Sequence, residues 1–244
     1  MFQNNLLMAA DAATSGGAAI TSVDTSALYN LSDNENLTRN EVAGTSNQKQ
    51  YLSWWIYRGV LNSTLQAIFH CDDGGDSNRE YVIFNTDNTI QWVSITGGST
   101  KLALYTSRVF KDIGWYHVEL LFDTTQAVAS SRNIMRVNGE RITEFTTETN
   151  FDLNQTFGSM GSVGDTFRLG AYRTTSYGYD GYMAECVRID GDPAGISTGE
   201  YDSTGLYWTP KSSTVIQELT FGNNGYYLPN EADLSSNMTT FVDS

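Results

Sequence analysis

Side chains that could carry out acid–base chemistry are few and meet on one predicted strand. With the period-two alternation of a strand, His117, Glu119 and Asp123 share one face, and Leu121 interrupts their row. A solvated strand face accounts for this row as well as a reacting pair does. The chain has only two histidines, no Ser or Cys lies in a nucleophile elbow, and no Cys or His pair has zinc-ligand spacing. We therefore assign no catalytic residue and expect a protein that is not an enzyme.

An acidic turn is the candidate metal site. Asp72, Asp73 and Asp76 lie in the stretch DDGGDSN, where glycines allow a tight turn and carboxylates offer the hard oxygen ligands that calcium prefers. The stretch lacks the spacing and the distal Glu of an EF-hand. Acidic, glycine-rich turns also close hairpins that bind no metal. Calcium is thus a candidate ligand and a bare turn the alternative, and no other cofactor is expected.

A tyrosine-rich loop is the candidate binding site. Tyr172, Arg173, Tyr177, Tyr179 and Asp180 lie close together along the chain. Tyrosine rings stack on apolar ligand faces while their hydroxyls and the neighbouring charged groups form hydrogen bonds, as a glycan requires. The same composition is typical of a protein interface, and such a loop can also pack over the edge of a sheet. The functional interpretation of this loop is that it contacts a glycan.

The elements that position these residues are predicted to be short β-strands. Aromatic residues make up 12% of the chain and charged residues 17%, and 22 glycines are available for turns. From Ala27 onward, runs with period-two alternation recur about every ten residues, separated by Gly, Asn and Asp. They include QYLSWWIYR, LQAIFHC, EYVIFN, IQWVSI, KLALYT and GWYHVELLFD. The pattern predicts an all-β fold, a two-sheet antiparallel β-sandwich.

Two local signals fix details of these strands. Asn138-Gly139 between NIMRV and ERITEF is the strongest short-range hairpin signal that a sequence offers. In the strand that carries His117, the opposite face consists of Tyr116, Val118, Leu120 and Phe122, which predicts that this face lies in the core.

The two ends of the chain differ from its middle. Residues 1–17 are predicted to form an N-terminal arm, residues 18–192 the sandwich, and residues 193–244 an extended C-terminal segment with little alternation. That segment carries large aromatic side chains that need burial, either on the sandwich or on a neighbouring subunit. These are Trp208, Phe221, Tyr226 and Tyr227.

Charge and hydropathy exclude two classes of partner. The formal net charge is −14, which repels nucleic acid and anionic membrane surfaces. No window of about 18 apolar residues is present, so no membrane span is expected. The N-terminus has no basic residue before Arg39, and Asp11 interrupts its apolar run, so no signal peptide is predicted. Cys71 and Cys186 are predicted to be small, buried, hydrophobic side chains. Two such cysteines favour synthesis in a reducing compartment.

Four ordered blocks carry a resemblance to a known fold family. They are ALYNLSDNENLTR, YLSWWIYRG, GWYHVELLFD followed by IMRVNGERI, and FRLGAYRTTSYGYDGYMAECVRID. Over residues 18–192 their order resembles the laminin G-like and concanavalin A-like sandwiches, which implies a jelly roll. Glucanases of this fold place three carboxylates as Glu-x-Asp-x-x-Glu, a motif that this chain lacks.

A second resemblance covers nearly the whole chain. The opening MFQNNLLMAA, the sandwich, and a tail of the type YWTPK and LTFGNNGYYL resemble virion proteins of tailed bacteriophages, especially marine and cyanobacterial ones. The resemblance implies a virion structural protein made in the host cytoplasm and displayed as a capsid decoration, fibre or tail appendage, with host-surface adhesion. Its implied partners are other virion proteins, further copies of itself (a trimer among the forms) and a host cell-surface glycan. The alternatives are a lectin-like receptor-binding protein for host polysaccharide and, after it, a polysaccharide depolymerase.

Overall fold

The fold is a sandwich of two antiparallel sheets, as the alternation predicts. The computed structural model describes residues 26–29, 36–61, 64–173 and 177–229. The strands, numbered along the chain, are β1 (Ala27–Tyr29), β2 (Leu37–Asn40), β3 (Lys49–Arg58), β4 (Gln66–Asp72), β5 (Arg79–Phe84), β6 (Ile90–Thr96), β7 (Ser99–Thr106), β8 (Gly114–Asp123), β9 (Asn133–Val137), β10 (Glu140–Arg141), β11 (Phe145–Thr149), β12 (Thr166–Leu169), β13 (Gly181–Ile189), β14 (Gly199–Tyr201), β15 (Trp208–Pro210) and β16 (Tyr226–Leu228). A 3-10 turn (Ala129–Ser131) and helix α1 (Ser213–Gln217) complete the described elements.

Each main sheet has seven strands. Sheet A has the order β1-β13-β3-β8-β9-β10, and β16 also pairs with β13. Sheet B has the order β11-β7-β6-β5-β4-β12-β2. Strands β14 and β15 form a separate two-stranded hairpin. Because many neighbours in these orders are distant along the chain, the sheets depend on long-range pairing and cannot form from hairpins alone.

The core lies between the facing sides of the two sheets. Trp54 of β3 stacks on Phe69 of β4 at 5.4 Å between ring centroids, and Trp92 of β6 meets Phe122 of β8 edge-on at 4.5 Å. All four rings are fully buried. Each aromatic pair adds about 0.5–1.5 kcal/mol beyond the burial of its area. These pairs therefore fix the two sheets against each other.

The local predictions for β8 and β9 are confirmed, with one correction. Tyr116, Val118, Leu120 and Phe122 face the core, and Asn138-Gly139 joins β9 to β10 with both φ angles positive, at 52° and 77°. The opposite face of β8, however, is not solvated. His117 and Glu119 are fully buried there, because the chain beyond β13 crosses the outer side of sheet A.

The described part of the C-terminal segment packs on the sandwich itself. Ile216 of α1 joins an outer cluster with Tyr51, Leu121 and Ile189 of sheet A. Trp208 of β15 packs with Trp55 and Ala184, and β16 extends sheet A beside β13. The predicted N-terminal arm, residues 1–17, lies outside the described residues. No helix in the described part of the chain is long and apolar enough to span a membrane.

Candidate functional site

The two predicted sites are neighbours in space. Arg173 of the tyrosine-rich loop donates hydrogen bonds from Nη2 to the Asp76 carboxylate and to the Gly75 carbonyl oxygen, the latter at 3.1 Å. Its Nε lies 3.6 Å from Asp72 Oδ2. The two segments are almost 100 residues apart along the chain, and no sequence signal predicts their contact. They meet because β4 and β12 pair side by side in sheet B.

Each carboxylate of the acidic turn is engaged by a donor of the protein. Asp73 accepts from Asn78 Nδ2 at 2.9 Å and from the Gly75 amide at 2.8 Å. These bonds lower the pKa of Asp73. Asp72 Oδ1 accepts from Arg168 Nη1 at 2.8 Å. Asp76 accepts from two guanidinium groups, those of Arg79 and Arg173.

A calcium ion at this turn would compete with those cations for the same oxygens. Among the described residues, no group of three or more His, Cys, Asp or Glu side chains is arranged to hold a metal. Calcium binding by Asp72, Asp73 and Asp76 stays a prediction.

Aromatic rings of the tyrosine-rich loop meet rings of sheet B on the outer side of that sheet. The ring centroid of Tyr172 lies 5.3 Å from that of Tyr81 on β5 and 6.1 Å from that of Tyr177. Burial, followed by the electrostatic influence of Tyr172 and of Tyr105 on β7, raises the pKa of Tyr81 to about 12. We call Tyr81, Tyr105, Tyr172 and Tyr177 the tyrosine face.

A buried histidine lies beneath the tyrosine face. The His70 ring centroid is 4.2 Å from that of Tyr172, and the His70 side chain is fully buried. Neither ring nitrogen of His70 has a hydrogen-bond partner. Burial, opposed by Asp72 and reinforced by Arg168 and Arg173, lowers the pKa of His70 to about 3, so the imidazole is neutral.

Sequence reasoning missed His70, Tyr81, Tyr105 and Arg168 as parts of this site. Alternation along β4 does place His70 and Asp72 on one face, and this was the available signal. Nothing local indicates that β5, β7 and the loop after β12 share that face.

Two residues of the predicted glycan site lie away from the tyrosine face. Tyr179 is fully buried and donates to the Tyr57 carbonyl at 2.9 Å, and Asp180 lies half-buried just before β13.

A second polar cluster lies under the C-terminal segment on sheet A. Thr198 Oγ1 lies 2.7 Å from Ser53 Oγ, 3.1 Å from the Tyr51 hydroxyl and 3.0 Å from His117 Nε2. Tyr51 in turn donates to Glu119 Oε1 at 2.7 Å. We call these five residues the covered row. All of them are fully buried.

The tautomer of His117 follows from its partners. Trp208 Nε1 donates to His117 Nδ1 at 2.9 Å, so the proton of the neutral ring lies on Nε2 and points to Thr198. Trp55 stacks on the imidazole at 4.5 Å. Burial, opposed by Glu119, lowers the pKa of His117 to about 4. A substrate could reach His117 and Glu119 only by displacing Thr198 and Trp208.

Comparison with known proteins defines the class of fold. No family model and no curated protein matches the chain. Among solved structures, laminin G-like domains 4–5 of the mouse laminin alpha1 chain match with a TM-score of 0.50 and 11% identity, over 73% of this chain and 46% of that chain. The protein thus has a concanavalin A-like jelly-roll fold of the laminin G kind. It spans less than half of the laminin structure.

Two further solved structures have lower scores. A heptameric SAP-like pentraxin from Limulus polyphemus matches with a TM-score of 0.43 and 14% identity, over 72% of this chain and 75% of that chain. Tailspike protein 2 from Escherichia coli O157:H7 bacteriophage CAB120 matches with a TM-score of 0.48 and 12% identity, over 66% of this chain and 22% of that chain.

Proposed function

We propose that this chain is an adhesion module of a tailed-bacteriophage particle that contacts host carbohydrate through the tyrosine face, without catalysis. The observation that carries the proposal is the meeting of Tyr81, Tyr172 and Tyr177 with the ion-paired groups of Arg173 and Asp76. A sugar offers apolar C–H faces and a rim of hydroxyls, and this surface has counterparts for both.

The chemistry of the tyrosine face suits a hydroxyl-rich ligand. Tyrosine rings offer rigid, amphipathic contact area that loses little conformational entropy on binding. An Arg–Asp pair presents N–H donors and carboxylate acceptors at fixed positions, so neighbouring hydroxyls of one sugar can bond both. Tyr177, with 47% of its surface exposed, is the most accessible ring of the tyrosine face.

The virion setting is supported by the resemblance of the two ends of the chain to virion proteins of tailed bacteriophages. In this proposal the protein is made in the host cytoplasm, assembles with further copies of itself, and docks to other virion proteins. The tyrosine face lies on the outer side of sheet B, while the C-terminal segment covers sheet A. Adhesion and attachment to the particle can therefore use opposite sides of the sandwich.

The carbohydrate part is tested by binding to an array of bacterial cell-surface polysaccharides. Wild-type protein should give signal on a subset of glycans, and Tyr177→Ala should lower that signal about tenfold, because it removes a stacking ring. Tyr201→Ala is the matched control, since Tyr201 is 57% exposed but lies on the hairpin over sheet A. Equal loss in both variants, or no signal from the wild type, would show that the tyrosine face is not a glycan site.

The virion part is tested on particles of the phage that encodes this chain. Antibody labelling should place the protein on the particle surface, and a chain without residues 1–17 should fold but fail to join particles. Incorporation of the shortened chain at the wild-type level would contradict a docking role for the arm.

A further inference from the structure

We infer that the ligand of the tyrosine face is a run of several sugar units lying across the strands of sheet B, and not a single terminal sugar. This inference rests on the proposed function and names the kind of glycan that the same site would take. It depends on how far the tyrosine face extends, on what lies between its rings, and on which strand groups remain unpaired.

The tyrosine face extends over most of the width of the sheet. Tyr105 lies on β7, Tyr81 on β5, and Tyr172 and Tyr177 follow β12. The strands between these points are neighbours in the order β7-β6-β5-β4-β12. Four spacings of about 4.8 Å separate the backbones of β7 and β12 by roughly 19 Å. The rings of Tyr177, Tyr172 and Tyr81 follow one another at 6.1 Å and 5.3 Å. Tyr105 lies two strands beyond Tyr81, so the row of rings is longer than one sugar ring. A monosaccharide would touch only one end of this row.

Small apolar side chains lie beside Tyr81 and Tyr105 on the outer side of sheet B. Val93 on β6 is paired with Tyr81 and with Ala103 on β7. Both Val93 and Ala103 lie on the outer side, because their neighbours Trp92, Leu102 and Leu104 lie in the core. They are only 3% and 6% exposed. A bound chain would therefore rest on the rings of the tyrosine face and not on these two side chains.

A second observation, beneath Tyr172, also points to a ligand. His70 is fully buried beneath Tyr172, yet both of its ring nitrogens lack a hydrogen-bond partner. Unpaired buried polar atoms are costly and rare in native proteins. A sugar hydroxyl would supply the missing bond if Tyr172 moved aside from Tyr81, since the two rings now meet edge-on at 5.3 Å.

The pairing of the strands favours a glycan over an added peptide strand. A peptide that binds by strand addition needs an unpaired sheet edge. The tyrosine face crosses the interior of sheet B instead, where β7 is already paired with β11 and β12 with β2. The ligand must therefore be recognised through side chains, and these offer rings, guanidinium groups and carboxylates.

The test is a chain-length series. The probes are malto-, cello- and chito-oligosaccharides of one to six units, together with sized fragments of any polysaccharide that binds on the array. For the series that binds, affinity should rise at least tenfold from one unit to four and then level off. Tyr105→Ala should lower the affinity for four units about tenfold and leave that for one or two units unchanged. Tyr105→Phe should retain binding, because the ring remains.

Two outcomes separate this inference from the function on which it rests. If a monosaccharide binds as tightly as four units, or if Tyr105→Ala changes nothing in a protein with wild-type melting behaviour, the extended ligand is wrong while glycan binding stands. If no glycan of any length binds, and a display library yields peptides that bind the tyrosine face, both proposals are wrong.

Discussion

At the scale of single residues, burial controls the ionisation of both histidines and of one core carboxylate. His117 and His70 are both sealed inside the protein, so their neutral forms are favoured. Glu80 shows the opposite consequence for an acid. It lies in the core and accepts bonds from three successive backbone amides, those of Gly158, Ser159 and Met160. Burial nevertheless raises the pKa of Glu80 to about 7.

We predict that His117 makes stability depend on pH below neutrality. Its pKa is about 4 in the folded protein and 6.5 in the unfolded chain, so its contribution is complete above pH 6.5 and is lost as the pH falls toward 4. His117→Gln keeps a donor and an acceptor but takes up no proton in this range. Chemical denaturation at several pH values should therefore give a shallower fall for the variant. Parallel curves of unfolding free energy against pH for the two proteins would contradict the lowered pKa of His117.

Glu80 should act in the opposite direction. Its folded pKa of about 7 lies above the ordinary value of 4.5, so its contribution is complete below pH 4.5 and is lost as the pH rises through 7. Glu80→Gln should be less stable at every pH, because an amide cannot accept all of the bonds. Its stability should, however, decline less than that of the wild type between pH 4.5 and 7. Unfolding free energies across this interval measure the difference, and an unchanged slope would refute it.

At the scale of elements, the chain beyond β13 is held to the sandwich at specific points. Asp190, just after β13, accepts from the Thr45 amide at 2.8 Å and from the Asn224 amide at 3.1 Å. Gly222 makes this contact achievable, because it adopts φ of 76° and packs against the Asp190 carbonyl. The segment is thus joined to the sheet by backbone packing as well as by its aromatic side chains.

Two glycines with similar backbone angles allow the cost of left-handed backbone strain to be measured apart from the cost of a steric overlap. Gly205 has φ of 70° and open space around its Cα, so Gly205→Ala should cost only the left-handed strain, about 1 kcal/mol. In Gly222→Ala the added methyl group would overlap the Asp190 carbonyl, and we expect a loss at least about 2 kcal/mol larger. Urea denaturation of both variants measures this difference. Equal losses would show that a methyl group at position 222 meets no steric overlap with the Asp190 carbonyl.

At the scale of the whole molecule, the outer sides of the two sheets differ in how they are covered. Sheet A is covered by the chain's own C-terminal segment, and the tyrosine face of sheet B is left partly exposed. The net charge of −14 adds electrostatic repulsion between copies, which the contacts of an assembly must outweigh. In the proposed function, binding energy therefore comes from ring stacking and fixed hydrogen bonds, and not from attraction to an acidic partner.

Removal of residues 193–244 should disrupt this division. The shortened chain would expose Tyr51, Leu121, Trp55 and other apolar groups now covered by Ile216 and Trp208. We expect a loss of at least about 5 kcal/mol, since burial of one Trp and one Ile each contributes several kcal/mol, together with dye binding and aggregation. Removal of residues 1–17 is the control and should leave the melting temperature nearly unchanged. A monomeric shortened chain with wild-type melting would contradict the role of the C-terminal segment.

Much of the local structure could be predicted from the sequence. Alternation places Tyr116 and Val118 in the core because successive side chains on a strand point to opposite sides, whatever the strand packs against. Asn138-Gly139 defines a hairpin because both residues tolerate positive φ. The acidic turn and the tyrosine-rich loop were also recognisable, since their residue types and spacing are local properties.

The pairing of distant segments is what only the tertiary structure decided. Whether the row of His117 and Glu119 meets water depends on Thr198 and Trp208, which lie about 80 to 90 residues further along the chain. Whether Arg173 meets Asp76, and whether Tyr105 shares a surface with Tyr172, depends on the order of strands in sheet B. That order is set by the packing of the whole core, in which every strand competes for its neighbours, and no single stretch of sequence encodes it.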